Sequence, residues 1–137
     1  MNIKDCVEQG FLKKIAVDET LIKKELKESL YDFERAKKAM HENDCKWCII
    51  KSYYSMFHAA KAVLFKYGYM EKRHFAIKIF LEDLNKKGKI ESKYINYFSA
   101  ALSSREEADY HYNYGKDAAE HSIALAEEFL DRMKKFL

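Results

Sequence analysis

In "SSREEADYHYNYG", residues 103–115, an arginine and a histidine stand with five residues between them. A guanidinium can hold charge that develops on phosphoryl oxygens, and an imidazole can move a proton near neutral pH. Arg105 and His111 are therefore the first candidates for chemistry. Their spacing alone is a weak signal. Six steps at about 100° place them roughly 120° apart on an ideal helix. They converge only if the helix loosens near its end, for which Gly115 offers a natural stop, or if a second subunit brings the groups together.

Arg105 also has a structural reading. It falls in register with an apolar seam of Tyr94, Phe98, Ala101, Ala108 and Tyr112. A buried guanidinium needs a partner, because unpaired charge in low dielectric is very costly. Asp109 lies four residues on, along the same face, so an internal Arg105–Asp109 pair is expected, with a tyrosine hydroxyl as its cap.

Three further polar groups stand at helical spacing. Tyr54 and His58 share one face of an aromatic stretch, where they either satisfy each other in a core or interface or border a nucleotide pocket by stacking. His74 opens a helix and either packs there or borders the same pocket. "CKWC" at 45–48 invites zinc, but no second pair completes a ligand set, and Cys6 and His41 are the only obvious helpers. No metal and no cofactor is expected.

The elements that must position these groups follow from the helical period. From Asp18, a cap, Ile22, Leu26, Ser29, Phe33, Ala36 and Met40 define an amphipathic helix with a basic outer face. "HEND" breaks it, and Asn43 or Asp44 can cap the next. That second helix, ending at Gly68, is apolar almost all round, apart from a stripe of Lys51, Ser55, His58 and Lys61. It belongs at the centre of a bundle or partly on a partner chain. Further helices are predicted over roughly 72–87, 91–112 and 116–137, with a short helix inside 2–15 packing across one end. The 137 residues include no proline and only four glycines, which favours long helices over strands. One all-α domain over 1–137 is expected, an up-and-down bundle of four or five helices after an N-terminal segment at 1–17.

A net charge of +3 among 47 charged side chains excludes a general nucleic-acid coat, so any RNA contact should be local. The charged start "MNIKDCVEQG" is unlike a signal peptide, and no apolar run approaches the roughly 20 residues a membrane span needs. A cytoplasmic protein is expected.

Three stretches resemble the HEPN family (higher eukaryotes and prokaryotes nucleotide-binding domain), within it a branch of small stand-alone prokaryotic proteins. They are "SYYSMFHAAKAVL" at 52–64, "KRHFAIKIFLEDL" at 72–84 and "SREEADY" at 104–110, which is similar to an Arg-x-x-Ala-Asp-Tyr pattern. The resemblance implies a helical bundle that dimerises, with Arg105 and His111 matching the family's arginine–histidine pair. It implies metal-independent cleavage of RNA, in which His111 is the acid or base toward a ribose 2′-hydroxyl and Arg105 clamps the phosphate. Asp109, Tyr110 and Tyr112 are the supporting residues, and Tyr54, His58 and His74 the binding ones. The chain departs from the toxin pattern in Glu106, which follows the arginine, and in lacking the tighter Arg-x-x-x-x-His-x-Tyr form. Two functions stay open: a ribonuclease of a toxin–antitoxin pair, or a non-catalytic module that presents nucleotide or substrate to a separate nucleotidyltransferase. In either case a homodimer is expected to bury part of Trp47 to Phe65.

Overall fold

A computed structural model describes all 137 residues. The chain forms α1 (Ile3–Glu8), β1 (Leu12–Lys14), α2 (Glu19–His41), α3 (Cys45–Lys66), β2 (Tyr69–Glu71), α4 (Phe75–Lys86), α5 (Ser92–Tyr110) and α6 (Lys116–Lys134). It is an all-α bundle, and none of its helices is long and apolar enough to cross a membrane. Asp18 caps α2 by accepting from the Thr20 N–H at 2.9 Å, and Asp44 caps α3 by accepting from the Trp47 N–H at 3.3 Å.

The expected short helix inside residues 2–15 is the six residues of α1, and residues 12–14 after it form a strand that the sequence does not anticipate. β1 pairs antiparallel with β2, Leu12 opposite Glu71 and Lys14 opposite Tyr69, across the whole α2–α3 hairpin. Three-residue strands carry no period of their own, so their pairing is decided by where the hairpin brings the two segments together. Gly68 makes this junction possible. Its φ of 83° is a left-handed conformation, and a Cβ there would lie 3.3 Å from the Ile15 carbonyl oxygen. Its carbonyl also accepts from the Ile15 N–H at 2.9 Å.

α3 is the centre, with 14 of its 22 residues buried. Within the chain α2 takes one side of it, and α4, α5 and α6 take the others, while Trp47 near its start stays 46% exposed. Met56, Leu64, Ile77, Phe80, Phe98 and Phe129 are among the side chains of the main core.

The α2–α3 contact is built differently from the apolar seam read in the sequence. Leu26, Phe33 and Met40 are only half-buried, while Ile22, Ser29, Asp32, Ala36 and Ala39 are buried. Small residues let the helices approach, and the Ser29 hydroxyl donates to the Ser55 carbonyl at 2.6 Å. Polar partners then meet the α3 stripe. His58 Nδ1 lies 2.7 Å from Glu25 Oε2, and its Nε2 3.7 Å from Asp32. Lys61 reaches Glu25 at 3.5 Å and Glu71 at 3.6 Å, and Lys51 reaches Asp32 at 3.7 Å.

The two carboxylates in this seam titrate in opposite senses. Burial acts to raise the Glu25 pKa, but the His58 hydrogen bond and Lys61 together bring it below the usual value of 4.5. Burial raises that of Asp32, and the more distant Lys51 and His58 only partly offset it. Stability from Glu25 is therefore present above its unfolded pKa and lost as pH falls through the folded one. For Asp32 the contribution is present below the unfolded pKa and lost as pH rises through the folded one. Glu25→Gln should cost about 1–2 kcal/mol at pH 7 and make thermal stability less sensitive to acid. Asp32→Asn should leave the melting temperature unchanged or raise it at pH 7. Melting curves of both variants from pH 4 to pH 8 check this, and the opposite order would show that Asp32 is the better paired group.

Candidate functional site

α5 crosses α3 beside Tyr53 and Tyr54, and Arg105 enters the bundle at that crossing with its side chain 16% exposed. Nη2 donates to the Tyr54 hydroxyl at 3.1 Å and lies 3.4 Å from Asp109 Oδ2. The guanidinium carbon sits 5.8 Å, 5.5 Å and 5.4 Å from the ring centres of Tyr53, Tyr54 and Tyr110, all within cation–π range. The expected Arg105–Asp109 pair is present, and the expected tyrosine cap is Tyr54. The pair is not fully buried, however, because 36% of the Asp109 side chain is exposed. Burial pushes the Tyr53 hydroxyl up to about 12, against the opposing pull of Arg105.

One edge of the guanidinium group has no protein partner: Arg105 Nε is buried and unbonded. The arginine borders a pocket of about 450 Å³ between α4 and α5. Tyr53, Phe98 and Leu102 give it apolar walls, and His74, Phe75 and Lys78 approach from the start of α4. Lys78 and Arg105 face the single carboxylate of Glu106 there, which suits an anion with an aromatic part. His74 does not cap α4 by a side-chain hydrogen bond. Its ring lies against Phe57, centres 4.5 Å apart.

His111 is held elsewhere. It is the C-terminal cap of α5, and its Nδ1 lies 3.1 Å from Glu107 Oε1. Asn113 Nδ2 donates to Glu107 Oε2 at 3.3 Å, and the Asn113 N–H donates to the Glu107 carbonyl at 2.9 Å. The His111 hydrogen bond, then that of Asn113, lowers the Glu107 pKa below its ordinary value. Glu107 is two steps from Arg105, about 160° round the helix. His111 thus does not line the Arg105 pocket. The helix does loosen, but earlier than Gly115: Tyr112 takes the left-handed turn at φ 54°, and Gly115 instead precedes α6.

Of the candidate binding residues, Tyr54 and His74 come to the surroundings of Arg105, whereas His58 turns to α2 and Glu25. Tyr110 packs its ring on Arg105, and Tyr112 stands in solvent. The sequence carries no pattern that assigns Asn113, Phe75 or Lys78 to a site, or Glu107 to the orientation of His111 beyond its i, i+4 spacing. Cys48 is buried, and burial pushes its thiol up to about 11, while no three His, Cys, Asp or Glu side chains converge as a metal-ligand set.

These contacts set an order of stabilities. Tyr54→Phe and Asp109→Ala should each cost about 1 kcal/mol, well below the cost of breaking a fully buried pair. The double variant should cost more than their sum, because it strips the guanidinium of both partners. Glu107→Ala should lower the melting temperature less than either single variant, because its contacts to His111 and Asn113 are exposed. Strict additivity in denaturant titrations would show that Tyr54 and Asp109 do not share Arg105 as partners.

Comparison with known proteins adds a lineage to this geometry. The chain is 29% identical over 94 residues to a Methanocaldococcus jannaschii protein named "Putative toxin MJ0142", a match covering 66% of this chain and 64% of that protein. A second protein of that organism, "Putative toxin MJ0605", is 34% identical over 105 residues, 74% of this chain and 78% of its own length. A "UPF0332 protein" of Archaeoglobus fulgidus is 32% identical over 101 residues, 72% and 81% of the two chains. The HEPN domain profile matches residues 22–136, from the first turn of α2 to the end of α6. With that span matched, the chain belongs to the HEPN domain family.

Proposed function

We propose that the chain is a dimeric, toxin-type HEPN protein of the cytoplasm that cuts single-stranded RNA without a metal. The observation that carries this reading is the half-satisfied Arg105. Tyr54 and Asp109 fix the group through Nη2, the buried Nε has no partner, and the residue borders a cationic, aromatic-walled pocket. A guanidinium held in one orientation at the wall of such a pocket suits charge developing on a phosphoryl group. His111 is oriented through Nδ1 by Glu107, as a carboxylate orients a general base. Its Nε2 then takes the proton of a ribose 2′-hydroxyl, and that oxygen attacks the adjacent phosphorus. The 5′-oxygen leaves with a proton from an acid, and a 2′,3′-cyclic phosphate remains. Because Arg105 and His111 open on different sides of α5, the complete site takes one group from each of two copies. The toxin names of the two methanogen relatives favour the same reading.

A second reading is a non-catalytic module that offers nucleotide or substrate to a separate nucleotidyltransferase. The separation of Arg105 from His111 within one chain favours it, as does Glu106, a carboxylate set against bound phosphate.

Purified protein in excess chelator should cleave single-stranded RNA slowly and leave cyclic phosphate ends. His111→Ala should abolish cleavage with little change in melting temperature, since the histidine side chain is 66% exposed. Glu107→Ala should reduce turnover by about tenfold or more through loss of orientation. Glu106→Gln should increase it by removing repulsion. Mixing inactive Arg105→Lys and His111→Ala proteins should restore activity if the sites are shared. Equal cleavage by His111→Ala and parent would discard the nuclease, and nucleotide binding without cleavage would establish the second reading.

A further inference from the structure

Where the second half of α2 meets the first turns of α3, Arg35, Lys38, Glu42, Trp47 and Lys51 line a shallow cleft of about 250 Å³. Of the three cations there, Lys51 already reaches Asp32 at 3.7 Å, while Arg35 and Lys38 have no carboxylate within ion-pair distance. Trp47 is the only tryptophan of the chain, and 46% of it is exposed. The Lys51 ammonium lies 6.0 Å from its ring centre. One turn before Arg35, the exposed ring of Tyr31 carries the Arg35 guanidinium at 5.4 Å, with Nε donating to the hydroxyl at 3.1 Å. On the other side Lys46, the neighbour of Trp47, lies 5.8 Å from the ring of Tyr112, and Tyr112 directly follows His111.

The same device thus recurs three times, a solvent-facing ring with a cation against it, between the His111 turn and the α2–α3 cleft. Packing does not account for it, because Tyr31, Trp47 and Tyr112 all lie outside the core. We propose that this surface binds the flanking strand of a single-stranded RNA, with Trp47 stacking on a base and Arg35 and Lys38 meeting phosphates. Stacking on an aromatic plane is tolerant of sequence, and cations beside the ring track the backbone. A protein-docking tryptophan would sit among apolar neighbours that exclude water. Here the only apolar residue beside it in the cleft is Ala39. The modest net charge of +3 makes such a local cluster, rather than the whole surface, the source of attraction. The inference rests on the reading of the chain as RNA-acting, but it assigns a place for the strand that neither Arg105 nor His111 provides.

Trp47 reports on its own occupancy, because it is the only indole. The probe is a 2′-O-methyl oligonucleotide of about ten residues, within the usual span of single-strand sites and unable to undergo 2′-hydroxyl attack. Titration should quench Trp47 fluorescence saturably. In anisotropy measurements Trp47→Ala should weaken binding between about fivefold and 100-fold, the loss of one stacked base. Lys38→Gln should lower the slope of log affinity against log salt by about 0.7. Binding without quenching, and unaffected by Trp47→Ala, would place the strand elsewhere and overturn the proposal. So would Trp47 emission that changes on diluting the protein alone, which would mark this face as a contact between copies. Quenching without cleavage of unmodified RNA would overturn only the nuclease reading and leave this surface standing.

Discussion

A helix as apolar as α3 tolerates water on almost none of its surface, and its one polar stripe must then find partners inside the protein. Lys51, Ser55, His58 and Lys61 cannot be buried bare, because an unpaired charge at low dielectric costs several kcal/mol. α2 meets that demand with Glu25 and Asp32, and β2 adds Glu71. Serines and alanines at the contact bring the helices close enough for the pairs to form. Glu71 keeps one buried oxygen without a partner, so the seam is not perfectly satisfied. The antiparallel ribbon that holds Glu71 in place is closed by β1, which explains why an otherwise helical chain contains a sheet.

With its polar side engaged by α2, α3 presents its apolar sides to α4, α5 and α6. Tyr53 and Tyr54 lie at the α5 crossing, and Arg105 is the cation that α5 sends toward them. Its environment is divided. Tyr54, Asp109 and the rings of Tyr53 and Tyr110 fix the guanidinium in place, and none of them uses Nε. An arginine kept only as a bundle clamp would be expected to satisfy that donor within the fold. Arg105 is therefore fixed by the fold without the fold using all of its donors.

His111 owes its position to the end of a helix. Tyr112 adopts φ 54° without being glycine, a conformation that costs about 1 kcal/mol or more. Asn113 holds the turn by bonding Glu107 through both backbone and side chain. The same carboxylate that stabilises the turn also orients the histidine, which couples the local backbone to the imidazole. Tyr112 is directed outward as a result, where Lys46 meets its ring.

Much of this protein is written in its periodicity. Five long helices, the caps at Asp18 and Asp44, the stop at Gly68 and the Arg105–Asp109 spacing depend on residues within a few positions of one another, and local rules decide them. What α3 touches depends on contacts between residues far apart in sequence. The helical period shows that its surface is apolar, but not which helices of the chain cover which side. For the same reason Tyr54 and His58, one turn apart, diverge to α5 and α2, and no spacing rule decides which helix lies on which side. The strands are three residues long and exist only because the α2–α3 hairpin brings their ends together. The pocket beside Arg105 likewise needs α4 to arrive from some thirty residues away. Local sequence determined the elements and the candidate chemistry, and tertiary packing decided which side of each group stayed open.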